Sequence, residues 1–208
     1  MSEDVDGPLV SPEWVAEHLD RFESDTADYR LFEVDIQDEV YNSGHIPGAS
    51  HIDWQDDLRD TETFDVLSVD EFGEFFGQHG VTPETTVVLY GDFFNWFAAH
   101  AYWLLQYYRH ENVLLLDGGR KYWMEAEFPT TTEQPAVSER TYQAPSPDES
   151  IRARRGEVES ATEDDTCLLD VRAPAEFRGD IVAPPGWNEG VQRGGHIPGA
   201  LNTPCRLT

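Results

Sequence analysis

The chain has 208 residues and 23.6 kDa, enough for one large domain or two small ones, and its 39% hydrophobic content excludes wholesale disorder. It carries 14 basic against 41 acidic residues, a net charge of −27, a pI near 4.3 and a single lysine, Lys121. Such acidity argues against nucleic-acid and anionic-membrane partners, no apolar run reaches the ~18 residues of a membrane span, and the start Met1-Ser2-Glu3-Asp4 has no secretory h-region. The expectation is a cytoplasmic protein. Its acids are spread along the chain, which favours a surface solvated for concentrated salt, as in a halophile, over an acidic nucleic-acid mimic or binding module.

In chain order, Ser11 and Pro12 supply an N-cap and a first-turn proline for a helix burying Trp14, Val15, His18, Leu19 and Phe22. Arg30 to Asp35 reads as a short apolar strand. Ser68-Val69-Asp70-Glu71 is a capping box before Phe72, Phe75 and Phe76, with Gly80 as the stop. Thr85 to Tyr90 is a buried β-branched strand, and Asn95 is placed to cap the apolar helix Trp96 to Tyr108. Val113 to Leu116 is a further strand, and Asp117-Gly118-Gly119 turns into a segment carrying Tyr122 and Trp123. The aromatics Phe72, Phe75, Phe76, Trp96, Trp103 and Tyr107 fall at helical spacing and read as core. Strands alternating with helices predict an α/β sandwich around a mainly parallel sheet.

Residues 129–150 change to Pro, Thr, Ser and Glu and read as a linker. Beyond them a repeat becomes visible. Gly44-His45-Ile46-Pro47-Gly48-Ala49 recurs as Gly195-His196-Ile197-Pro198-Gly199-Ala200, and Leu31-Phe32-Glu33-Val34-Asp35 parallels Leu168-Leu169-Asp170-Val171-Arg172. A longer loop, Asp180 to Arg193 with Pro184-Pro185-Gly186-Trp187, accounts for the extra length of the second copy. Residues 9–128 are therefore expected to form a first domain and 151–208 the start of a second. That second copy has a short helix near Gly156 to Ala161 and a strand from Cys167 to Val171. The counterpart of Asp57 to Trp123 is missing from it, so it is expected to be truncated.

A strand ending Asp-Val-Arg, an acid–aromatic pair and GHIPGA, with Asp117-Gly118-Gly119 and Trp123 in the first copy, resemble the tandem-domain rhodanese family of thiosulfate sulfurtransferases. The resemblance implies an α/β fold, no cofactor or metal, and a small sulfur donor such as thiosulfate. It also implies a thiophilic acceptor and a cysteine nucleophile on the loop after the fourth strand, usually of the second domain. Such a loop of backbone N–H groups at a helix N-terminus lowers a thiol pKa and cradles anions. The first copy has Tyr90-Gly91-Asp92-Phe93-Phe94-Asn95 there and no cysteine, so it is expected to be inert.

Aligned on GHIPGA, Cys205 matches Trp54, far too early for the active loop, and reads as a strand-edge residue. Cys167 reads as a small buried apolar side chain. No catalytic residue is therefore expected within the chain. Arg172 matches the arginine that in the family's catalytic domain helps hold an anionic donor; pairing with Asp170 or Glu176 is the alternative. His45 and His196 read as loop-orienting hydrogen bonders. The rival readings are a non-catalytic rhodanese-like interaction or regulatory module, and a phosphatase sharing the fold. The latter needs a longer cysteine loop ending in arginine, which is not visible.

Overall fold

The structure, a computed structural model, describes residues 7–184 and 190–204 in two units, Met1–Ile151 and Arg152–Thr208. In the first, Leu9–Val10 (β1) leads into Pro12–Glu17 (α1), where Ser11 Oγ accepts from Trp14 N at 3.1 Å. The single helix expected through Phe22 breaks at His18 (φ −110°, ψ 9°) and resumes as Leu19–Glu23 (α2). Trp14 O is taken by His18 Nδ1 at 2.7 Å, and the two rings stack at 4.0 Å, so side chain replaces backbone at the break.

Tyr29–Asp35 (β2), Asp38–Ser43 (α3) and Ala49–Asp53 (β3) follow, then Val69–Gln78 (α4), whose Ser68–Glu71 capping box is complete. Thr86–Tyr90 (β4), Trp96–Tyr107 (α5), Val113–Leu116 (β5) and Gly119–Glu125 (α6) finish the alternation. The strand order is β1-β5-β4-β2-β3 and every pairing is parallel. This is the α/β architecture with a parallel central sheet that the alternation predicts.

Period-two alternation decides what each face of the sheet holds. Tyr29 and Leu31 of β2 and Val88 of β4 pack with Val15, Phe22 and Trp123 from α1, α2 and α6. Phe32 points the other way, its ring 6.0 Å from Phe76 of α4, while Phe72 stacks on Tyr108 at 4.2 Å. Of the aromatics expected in the core, Phe72, Phe76 and Tyr107 are fully covered; Phe75, Trp96 and Trp103 are half-buried. All seven positions of β2 are buried, although three carry charges: Arg30, Glu33 and Asp35. Arg30 is satisfied by the carbonyls of Thr26, Tyr29 and His79 and by Asp25 at 3.2 Å. Glu33 and Asp35 share a face with Leu31 and must be met from elsewhere.

Residues 129–150 run along this unit. Thr131 and His45 exchange backbone hydrogen bonds of 2.9 Å, Arg140 N donates to Gly77 O at 2.8 Å, and Asp148 N donates to Tyr107 O at 2.7 Å. Tyr142 is buried and donates its hydroxyl to His110 Nδ1 at 3.0 Å, while His110 Nε2 donates to Thr85 O at 2.9 Å. Burial holds His110 below its ordinary pKa, which suits this neutral arrangement. Helix α4 makes room with two glycines: a Cβ at Gly73 or Gly77 would lie 2.6 Å from Tyr142 O or 2.7 Å from Arg140 O. A composition of Pro, Thr and Ser gives no sign of this, because backbone bonds and one tyrosine do the anchoring.

The second unit contains Arg155–Ala161 (α7), Leu169–Asp170 (β6), Pro174–Arg178 (α8) and Leu201–Asn202 (β7). Strands β6 and β7 are parallel, with Leu169 opposite Leu201 and Asp170 opposite Asn202. In the first unit Phe32 faces Ser50 and Glu33 faces His51, the same register in repeat coordinates. The strand expected from Cys167 to Val171 is shorter, and Cys167 is exposed rather than buried. Leu169 and Val171 are 60% and 53% exposed, whereas their counterparts Phe32 and Val34 are fully covered; Leu201 is 59% exposed. Cys205 and the Pro185-Gly186-Trp187 stretch of the long loop lie outside the described residues.

Candidate functional site

Parallel α/β sheets place ligands beyond the carboxyl ends of their strands. Here that edge carries Gly91-Asp92-Phe93-Phe94-Asn95 between β4 and α5. Phe94 (φ 60°, ψ 38°) and Asn95 (φ 62°, ψ 22°) are both left-handed, a conformation costly for L side chains. Asn95 does not cap α5 as its position suggests. Its Oδ1 accepts from Gly91 N at 2.9 Å and its Nδ2 donates to Leu116 O at 2.8 Å, closing the loop and tying it to β5. Gly91 admits no side chain, since a Cβ there would lie 2.2 Å from Val34 O. Gly119 is similarly confined, with a Cβ only 2.4 Å from Asn95 Oδ1. The loop thus has no thiol, and its one ionisable group, Asp92, is an anion in front of a helix N-terminus. It cannot form a persulfide.

Beneath the loop is a charged cluster that sequence reading misses. Glu33 is fully buried between its cross-strand neighbours Tyr90 and His51. Arg120 of α6 brings Nε to 3.2 Å from Glu33 Oε1 and 4.0 Å from Asp92 Oδ1. The same guanidinium donates to Val40 O at 2.9 Å and Gly44 O at 2.5 Å, and Arg120 N donates to Gly91 O at 3.1 Å. One arginine thereby joins α6, the turn before β3 and the loop after β4. Burial pushes Glu33 up to about 7, against the Tyr90 hydroxyl and Arg120, which pull it down. Burial opposes a charge on His51, yet Asp35 at 3.1 Å and Asp38 at 3.5 Å hold it above its ordinary range. The available signal was an acid within the apolar run Leu31-Phe32-Glu33-Val34.

The two GHIPGA turns are built alike. The His45 ring stacks on Tyr41 at 3.8 Å and bonds Tyr41 O at 3.0 Å; His196 stacks on Phe177 at 3.7 Å and bonds Phe177 O at 2.8 Å. Both histidines orient a turn. Arg172 pairs with Asp170, Nε to Oδ1 at 3.0 Å and Nη2 to Oδ2 at 2.6 Å, and donates to Gly195 O at 2.9 Å. That pairing lowers the Asp170 pKa and raises that of Arg172. Strand acid, guanidinium and turn carbonyl recur in both units, as Glu33–Arg120–Gly44 and Asp170–Arg172–Gly195. Arg172 also lines a cleft of about 1110 Å³ in the second unit, with Arg155, Arg193 and His196. Among the described residues no His, Cys, Asp and Glu cluster could hold a metal, and no helix is long and apolar enough to cross a membrane.

A five-stranded parallel sheet, a strand–loop–helix at its carboxyl edge and a histidine-locked turn before β3 define a class of α/β domain built around that loop. The chain belongs to the rhodanese-like domain family, which residues 11–126 match. It is 52% identical over 194 residues to a Haloferax volcanii protein named "Putative thiosulfate sulfurtransferase", covering 93% of this chain and 68% of that one. It is 44% identical to the sulfur carrier protein TtuD of Thermus thermophilus, over 94% of this chain and 69% of the relative. Its fold is similar to that of an anaerobic ergothioneine biosynthesis enzyme from Chlorobium limicola, solved with trimethyl histidine (TM-score 0.77, 28% identity, 96% of this chain, 51% of that one). YnjE shares the fold alone, at TM-score 0.71 and 24% identity over 94% of this chain and 47% of that one. The chain spans about two thirds of the length of these curated relatives and about half that of the solved structures.

Proposed function

We propose that this chain is part of a tandem rhodanese-type sulfurtransferase: an inert first domain over residues 9–128, a connecting segment over 129–150, and the opening of the sulfur-handling domain over 151–208. The observation that carries the reading is the matched register of β2–β3 and β6–β7, reinforced by the paired histidine stacks. It supports a duplication better than six shared letters could, because register fixes which side chains face the core. In such an enzyme a cysteine thiolate attacks the outer sulfur of thiosulfate and releases sulfite. Cyanide or another thiol then takes that sulfur from the persulfide and regenerates the thiolate. Seven of the chain's 14 Lys and Arg residues fall from Arg152 onward, and Arg155, Arg172 and Arg193 line the cleft there, which supports Arg172 as a group that helps hold an anionic donor. The acidic composition supports a cytoplasm rich in salt.

The nucleophilic loop of the second copy is not among the 208 residues. Purified as this polypeptide, the protein is expected to form no thiocyanate from thiosulfate and cyanide. Turnover abolished by Cys205→Ser would make Cys205 a nucleophile and overturn the alignment. The loop around Asp92 favours a purely architectural or interacting role for the first unit.

A further inference from the structure

Four buried charged atoms beneath the β4–α5 loop lack a well-formed hydrogen bond: both carboxylate oxygens of Glu33, Oδ2 of Asp35 and Nε of Arg120, the last held to Glu33 Oε1 only as an ion pair at 3.2 Å. Buried charge without full hydrogen bonding is costly, so natural proteins rarely keep it without compensation. The geometry supplies an account. The Arg120 guanidinium stands between two acids, Glu33 at 3.2 Å in the core and Asp92 at 4.0 Å on the loop. One cation cannot satisfy both at full strength. We propose that Glu33 is a proton-controlled latch: protonated, it leaves Arg120 to Asp92 and the loop stays pinned; ionised, it claims Arg120 and releases Asp92.

Every charged or titratable neighbour facing Glu33 fits this arrangement. Asp35, two residues along β2, adds negative charge, and His51 on β3 answers it as a cation held by Asp35 and Asp38. Tyr41 of α3 is pushed up to about 12 by burial and by Glu33, and burial and Glu33 also raise Tyr90 of β4 well above its ordinary value. Both phenols therefore stay neutral throughout. Asp92 is raised by burial and pulled back by Arg120, so it remains the alternative anion. Arg120 is anchored meanwhile by the Val40 and Gly44 carbonyls and cannot swing away; only its Nε edge is exchangeable. Glu33, at about 7, and His51, held above its ordinary range, both change protonation near neutral pH, and of the two only Glu33 contacts Arg120. This latch does not depend on the sulfurtransferase reading.

The test is an NMR titration of the full chain from pH 5.5 to 8.5, following the Glu33 carboxyl carbon and the amides of Gly91, Asp92 and Asn95. A single shared midpoint is expected, and Glu33→Gln should abolish the amide titration while preserving the low-pH loop spectrum. Asp92→Asn, which leaves the core untouched, should keep the Glu33 titration and lose most of the loop response. Loop amides that titrate unchanged in Glu33→Gln, or do not titrate in the unmodified chain, overturn the proposal.

Discussion

Trp123→Ala is expected to cost about 3–5 kcal/mol, the range for removing a fully buried large aromatic. Trp123 is completely covered, stacks on Phe128 at 4.6 Å and donates Nε1 to Pro129 O at 2.8 Å. Its ring belongs to the cluster that seats α6 on β2 and β4, and Pro129 O lies where the segment 129–150 begins. Losing it opens a cavity, orphans a carbonyl and loosens the helix that carries Arg120. Urea unfolding in molar KCl, followed by circular dichroism, reads the loss. An unfolding free energy within ~0.5 kcal/mol of the unmodified chain would mean that Trp123 does not organise this face.

Arg120→Leu is expected to be comparably damaging at pH 8, by about 3–5 kcal/mol, because it orphans the Val40 and Gly44 carbonyls and strips the counter-charge from a buried carboxylate. The pH dependence has a definite sign. Glu33 sits at about 7 in the fold against an ordinary 4.5, so its contribution is fully present below 4.5 and is lost as pH rises through 7. Removing Arg120 takes away one of the groups that pull Glu33 down, which raises it further and enlarges the cost of ionisation. The deficit of the variant should therefore shrink towards pH 5, where Glu33 is neutral with or without its partner. Unfolding curves at pH 5 and pH 8 decide it. Equal losses at the two values would show that Arg120 acts through its carbonyl contacts rather than through charge.

Residues whose chemistry acts locally were legible in the sequence. Ser11 and Ser68 cap the helices they precede, Gly80 (φ 73°) ends one, and the alternation of strands and helices yields the parallel sheet. Elements that depend on long-range partners were not. His18 breaks a helix because its ring can reach Trp14 O, and Asn95 abandons a cap because β5 offers Leu116 O across the sheet. Tyr142 looks like any tyrosine in a polar stretch until Gly73 and Gly77 let its backbone approach. At the site, the absence of a thiol from Gly91–Asn95 could be read directly from the letters. The Glu33–Arg120 pair could not, since 87 positions separate the two and only the crossing of α6 over β2 brings them together. Cys167 is exposed because an apolar run is buried only where a second layer covers it, and Leu169 and Val171 beside it are exposed as well.

Sulfur loading of the intact polypeptide tests most directly the proposal that residues 9–128 keep the rhodanese-like fold without its persulfide chemistry and that neither Cys167 nor Cys205 acts as a sulfur-accepting nucleophile. The reduced chain is incubated with excess thiosulfate in molar KCl and its intact mass is measured before and after cyanide. The mass is expected to stay unchanged at every step. A gain of one sulfur atom, mapped to Cys167 or Cys205 and discharged by cyanide, would contradict it.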